Sequence, residues 1–244
     1  MSSFYGGLGI DDAPLTNPVI EAYCVKGLSA GQSSPTRGTY RSVLRGLSRE
    51  PRPQLAVSFP GSVAKPAYSA AERAELWQIA HSQRRGWRRH SAQCLIALSM
   101  GAGLRAGEVV AARREDLDLA TGTVRVRGDL ARTVPLDAEC RAVLGGLSFG
   151  EGFLFHPEQA ERSYPNFVND FCLNLTADPA AVHLCVARLR ASYVCGHLAA
   201  GTPLSRILTL TGIKEVESLL YYSRQVKGAP HSKSALRRAL AAEV

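Results

Sequence analysis

Apolar residues recur at helical spacing through most of the chain and alternate strictly in only one short stretch. Asn17-Pro18-Val19-Ile20-Glu21-Ala22-Tyr23 predicts a first short helix, with Asn17 able to cap it and Pro18 suited to its first position. Tyr40, Val43, Leu44 and Leu47 share one face of a second helix over residues 35–47. Ser69-Ala70-Ala71-Glu72 is a capping box opening a third, since each side chain can accept the other's free backbone N–H. Cys94-Leu95-Ile96-Ala97-Leu98 is apolar on every side, the pattern of a helix buried all round. Val124 and Val126 alternate with Arg125 and Arg127 and return through Thr133-Val134-Pro135-Leu136, a hairpin with an apolar inner and a basic outer face. Further helices are predicted near 137–145, 163–175, 183–200, 203–211, 214–224 and 232–242, with Gly201 placed to end the helix before it. The predicted fold is mainly α with a small β-sheet.

Residues 1–14 show no period and read as a flexible arm, and residues 27–35 as a Gly- and Ser-rich loop. Between Arg49 and Pro66 four prolines (Pro51, Pro53, Pro60, Pro66) interrupt any periodicity, which marks a linker. The predicted organisation is a short helical arm and linker over 1–65 and a larger domain over 66–244.

At 45% hydrophobic over 244 residues, the chain can bury a substantial core. Its net charge of +8 is carried mostly by arginine: five of the 29 basic residues are lysine (Lys26, Lys65, Lys214, Lys227, Lys233), leaving 24 arginines. Arginine suits phosphate recognition, and a GC-rich coding sequence would produce the same excess. The six cysteines (Cys24, Cys94, Cys140, Cys172, Cys185, Cys195) lack metal-ligand spacing and lie mostly among apolar residues, as small core hydrophobes in a reducing compartment do. No apolar run is long enough to span a membrane and no leader pattern opens the chain, so the expectation is a cytoplasmic protein.

Candidate chemistry rests on Arg105 in Gly103-Leu104-Arg105-Ala106-Gly107-Glu108, Arg190 in Arg188-Leu189-Arg190, and Tyr222 ahead of a basic tail. Two guanidiniums can grip both non-bridging oxygens of a phosphodiester, and a phenol can attack the phosphorus in line. Gly201 follows Arg190 by 11 residues, Gly212 follows Gly201 by 11, and Tyr222 follows Gly212 by 10. In order and spacing, residues 66–244 resemble the tyrosine recombinase (phage integrase) family. The resemblance implies a DNA strand-exchange enzyme working through a 3′-phosphotyrosyl bond without a cofactor. Catalytic roles then fall on Tyr222, Arg105, Arg190 and Arg127, with Glu108 orienting a guanidinium. It further implies double-stranded DNA as partner, self-association into a tetramer on DNA, and association with a bacterial nucleoid, phage or mobile element. The interval from Gly212 selects Tyr222 over Tyr221.

Three positions depart from the family pattern. Ala187 stands where the family has histidine or lysine, Ile213 where it has histidine or tryptophan, and Arg127 at the hairpin lysine. Arginine is effectively never deprotonated, so it stabilises charge but is a poor acid. Impaired catalysis, or a catalytically inactive relative acting as a DNA-binding regulatory protein, therefore stands beside the active enzyme. A basic surface for an acidic protein partner is a third reading. The chain also has only two predicted helices before the linker, where the family carries a four-helix clamp.

Arg37, Arg41, Arg45 and Arg49 lie four residues apart on the second helix with no acid between them. Like charges at that spacing repel, and a DNA backbone would relieve the repulsion; the alternative is a solvated face. Arg84, Arg85, Arg88 and Arg89 form a second such cluster, with Trp87 read as core, and Arg188 is a backbone contact or a surface charge. In the tail, Ser232 can cap a helix whose Leu236, Ala239 and Leu240 would dock onto a neighbouring protomer or onto their own domain.

Overall fold

A computed structural model of the chain describes residues 15–26, 32, 34–48, 65–158, 166–175, 178 and 180–243. The expected arm, most of the linker (with Arg49) and the start of the 163–175 helix lie outside the described residues. The chain divides into two compact units, Met1–Ala64 and Lys65–Val244.

The first unit pairs α1 (Asn17–Lys26) with α2 (Ser34–Leu47). Its core is Ile20, Tyr23, Cys24 and Leu44, with Leu15 packed against it. Of the four apolar residues expected on the inner face of α2, only Leu44 is buried; Tyr40, Val43 and Leu47 are 42%, 57% and 69% exposed. The helix is rolled so that its arginines face α1. Glu21 pairs with Arg41 at 3.0 Å and with Arg45 at 2.6 Å, and Arg41 is 8% exposed. Glu21, which lies 20 residues before Arg41 and 24 before Arg45, thus offsets their mutual repulsion within the unit. Arg37 is half-buried.

The second unit is built around α4 (Gly86–Gly101), buried at every position from Ser91 to Gly101. It packs between α6 (Ala138–Gly145) and α8 (Val186–Ala199), with α3 (Ala70–His81) alongside. The capping box forms as expected: Glu72 N–H donates to Ser69 Oγ at 3.2 Å and Ser69 N–H to Glu72 Oε2 at 2.8 Å. After α5 (Ala106–Ala111) and a 3₁₀ turn (Arg114–Asp116) come β1 (Leu117–Asp118), β2 (Thr123–Val126) and β3 (Arg132–Pro135), an antiparallel sheet in that order. Val124 faces Val134 and Val126 faces Arg132, with the valines buried and Arg125 and Arg127 exposed.

Beyond α7 (Phe167–Leu173) the chain enters α8, which ends in two reciprocal bonds, Gly201 N–H to Leu198 O and Thr202 N–H to His197 O. These satisfy carbonyls the helix leaves free, and Gly201, at φ 68°, makes the left-handed turn they require. Next come α9 (Leu204–Thr211), a 3₁₀ turn (Val216–Leu219), α10 (Leu220–Ser223) and α11 (Lys233–Ala241). Ser232 caps α11. Leu236 is wholly buried and Ala239 and Leu240 pack on the same core, so the tail docks onto its own unit. Glu243 returns the support by accepting the free N–H groups of Leu204 and Ser205 at the start of α9. Cys24, Cys94, Cys140, Cys172 and Cys195 are buried and Cys185 is half-buried, all as free thiols.

Candidate active site

The turn after α4 is made by a residue that must be glycine. Gly103 sits at φ +64°, and a Cβ there would lie 2.4 Å from Cδ1 of Tyr193. The tight turn drives Leu104 into the core and leaves Arg105 at the head of α5, where its N–H donates to Glu108 Oε2 at 2.8 Å. From α8, Arg190 rises into the same region, 7% exposed, donating through Nη1 to Gly103 O and through Nη2 to Thr211 O. Burial pushes its pKa down, and Tyr222 and Glu108 act against that push. Arginine stays charged through such shifts.

Three guanidiniums converge on three successive carbonyls. Arg132 Nε donates to Leu210 O at 2.8 Å, Arg190 to Thr211 O at 2.7 Å, and Arg105 Nη2 to Gly212 O at 2.9 Å. These groups close α9, where a helix leaves carbonyls unpaired and carries partial negative charge. Gly212, at φ +63°, ends the helix, and a Cβ on it would meet Arg132 Nη1 at 3.0 Å.

Arg105, Ala187, Arg190, Ile213, Ser218, Tyr221 and Tyr222 line one cleft of about 530 Å³. The two tyrosine rings meet edge to face with centroids 4.8 Å apart. Both line the cleft, but the Tyr221 hydroxyl accepts the Lys65 N–H at 2.6 Å and is occupied in holding the start of this unit. The cleft lining has no histidine: His197 bonds Thr202 in a separate groove, and His183 is exposed. Among the described residues no group of three or more His, Cys, Asp or Glu could hold a metal ion, and no helix is long and apolar enough to cross a membrane.

Arg127 lies outside this cleft. It lines a separate groove with Arg125 and Arg132, and its guanidinium is taken up by Asp116, through Nε at 2.8 Å, and by Glu115. Two acids in the 3₁₀ turn beside the hairpin hold it, and it is not among the residues that line the cleft with Arg105 and Arg190. Burial raises the Asp116 pKa, but bonds from Arg127, the Arg113 N–H and Arg125 outweigh that and keep it below the usual carboxylate range. Arg188 is also committed, to Glu72 at 2.6 Å and Pro66 O at 2.9 Å, with its guanidinium 3.8 Å above the Tyr68 ring. It ties the segment at Pro66 to α3. Arg84, Arg85 and Arg89 are exposed, while Arg88 lies 5.7 Å over Trp87, itself packed on the core.

Glu108 and Arg132 complete the site. Arg132 Nη1 and Nη2 donate to the two Glu108 oxygens at 2.8 and 3.0 Å, with side chains only 6% and 13% exposed. Sequence reading passed over Arg132, though a signal existed: it stands two residues before Val134, on the inner face of β3, where a buried arginine requires an acid. Burial works to raise the Glu108 pKa, but Arg132, the Arg105 N–H and the charge of Arg190 hold it below the ordinary range. A depressed carboxylate contributes stability that is full above its unfolded pKa and lost as pH falls through the folded one. The contribution of Glu108 is therefore expected to stay level from neutral pH to about 5 and to decline below about 4. Glu108→Gln should be less stable at neutral pH and should decline less on acidification, measured by melting temperature against pH.

No family model and no curated protein matches the sequence. Solved structures do. The chain is similar to the XerA recombinase (17% identity, TM-score 0.54, covering 99% of this chain and 88% of that one). The XerH site-specific recombinase, bound to its palindromic difH substrate in a post-cleavage complex, matches at 14% identity and TM-score 0.63, over 100% of this chain and 76% of that one. The Tn1549 transposon integrase in complex with transposon right end DNA matches at 14% identity and TM-score 0.59, over 96% and 86%. The chain has the tyrosine recombinase fold, mainly helical with a small antiparallel sheet.

Proposed function

We propose that this protein binds double-stranded DNA and cleaves and rejoins strands through a phosphotyrosyl bond at Tyr222, with the chemistry carried by the unit Lys65–Val244. The observation that carries the reading is that Arg105, Arg190 and Tyr222 line one cleft. A phosphodiester placed there would have its non-bridging oxygens between two fixed guanidiniums, which stabilise the charge that builds as phosphorus becomes five-coordinate. The Tyr222 oxygen forms the new bond to phosphorus while the bond to the 5′ oxygen breaks; the phenol proton passes to water, and the departing oxygen takes a proton from water to leave as a 5′-hydroxyl. The energy of the diester is kept in the phosphotyrosine, so rejoining needs no nucleotide. The XerH and Tn1549 structures, which contain DNA, support this choice of substrate.

The departing 5′ oxygen needs a proton, and neither Ala187 nor Ile213 can handle one. General acid help is worth about 10²–10⁴-fold, so the proposal is of a slow enzyme. The same two residues favour the second reading, a DNA-binding relative without chemistry. Tetramer assembly on DNA belongs to the first reading; docking α11 onto a neighbour would first break its Glu243 and Arg237–Glu217 contacts.

Nicked duplexes carrying a 5′-phosphorothiolate distinguish the two, because the thiolate leaves without a proton. Wild type and Tyr221→Phe are expected to form a denaturant-resistant adduct, far faster than on ordinary DNA, and Tyr222→Phe to form none. Duplex binding with no adduct on any substrate would leave the non-catalytic reading.

A further inference from the structure

We propose that Arg132 and Glu108 are a positioning pair that sets the phosphate-gripping arginines by fixing the end of α9. The inference deepens the strand-cleavage reading and rests on it for its catalytic arm. Arg132 reaches from β3 to four oxygens: both of Glu108, the carbonyl of Leu210 and that of Leu130 in its own hairpin. The next two carbonyls, Thr211 and Gly212, hold Arg190 and Arg105. Glu108 acts on the same set from the other side, since one of its oxygens also accepts the Arg105 backbone N–H.

Glu108 Oε2 is thus shared by the Arg105 backbone and Arg132, and the carbonyls that hold Arg190 and Arg105 directly follow the one that Arg132 fixes; Arg190 has one further anchor, Gly103 O. An arginine is required at 132 because the contact is forked, reaching the carboxylate and the Leu210 carbonyl at once. A lysine ammonium is a point charge on a flexible stem and cannot span two carboxylate oxygens and a carbonyl in fixed geometry. Moving the Leu210–Gly212 carbonyls by a fraction of an ångström would turn both guanidiniums away from the phosphate oxygens without removing either charge. The pair touches no DNA in this scheme; it acts through Arg105 and Arg190.

The test uses the full chain with Arg132→Lys and Glu108→Gln, singly and together. With saturating phosphorothiolate duplex, each single change is expected to slow adduct formation by about 10²-fold, the scale of a small misplacement of reacting groups. Duplex affinity should stay within about threefold, because the phosphate charges are unchanged. The double variant should be no slower than the worse single one, since both break one network. In ¹⁵N-edited spectra the guanidinium Nε–H signals of Arg105 and Arg190, assigned by their loss in the Arg105→Lys and Arg190→Lys proteins, should shift or broaden in both variants. Unchanged signals in folded Arg132→Lys and Glu108→Gln would overturn the proposal, as would rates that fall only in step with affinity or folded fraction. If wild type forms no adduct, strand cleavage fails alone and the guanidinium signals still decide the positioning role.

Discussion

Replacing Arg190 by alanine is expected to slow adduct formation by about 10²–10³-fold, the loss seen when one preorganised donor to a developing anion is removed. Arg190 is 7% exposed and fixed between Gly103 O and Thr211 O, so its charge is held in place before any phosphate arrives. The same change should destabilise the fold by about 1–3 kcal/mol, because two carbonyls in the interior lose their donor. Arg190→Lys should recover part of the stability and little of the rate, since an ammonium cannot hold both carbonyls and face the phosphate. Adduct kinetics with saturating duplex, read beside urea titrations, separate the two effects. A full-rate Arg190→Ala protein would exclude Arg190 from the phosphate site.

The second large effect is expected at Gly103. Alanine there must adopt a left-handed backbone costing about 1–2 kcal/mol, and its Cβ would sit 2.4 Å from the Tyr193 ring. Tyr193 is 8% exposed and cannot move freely, so overpacking adds about 1–3 kcal/mol. Together they predict a Tm lower by on the order of 10 °C for a unit of this size. Gly107, four residues on in the same motif, has open space around it and an ordinary helical position. Gly107→Ala should raise stability by up to about 1 kcal/mol. Opposite signs from two glycines in one hexapeptide are checked by calorimetry on both variants. A Gly103→Ala protein as stable as wild type would mean that the Arg105 turn is not held as described.

Elements whose cause lies within a few residues were legible in the sequence. The Ser69–Glu72 box, the buried α4, the Val124–Val126 alternation and the glycine ending α8 depend on backbone groups and side chains one turn apart. That Arg105, Arg190 and Tyr222 belong together was what the family resemblance implied, through their order and their spacing to Gly201 and Gly212, and one cleft holds all three.

What the sequence could not determine is where each arginine spends its charge. A guanidinium on an exposed face and one locked to a carboxylate have the same local pattern, and the deciding acid lies far along the chain. Glu21 takes Arg41 and Arg45, Glu72 takes Arg188 across 116 residues, Asp116 and Glu115 take Arg127, and Glu108 takes Arg132. Ion pairs of this kind are satisfied by whatever side chain the packing of apolar faces brings within about 3 Å. The sequence by itself determined which elements form and which residues could grip a phosphate. Tertiary packing alone decided that Asp116 and Glu115 take up Arg127 while Glu108 takes Arg132, because that depends on which carbonyls and carboxylates the folded core leaves within reach.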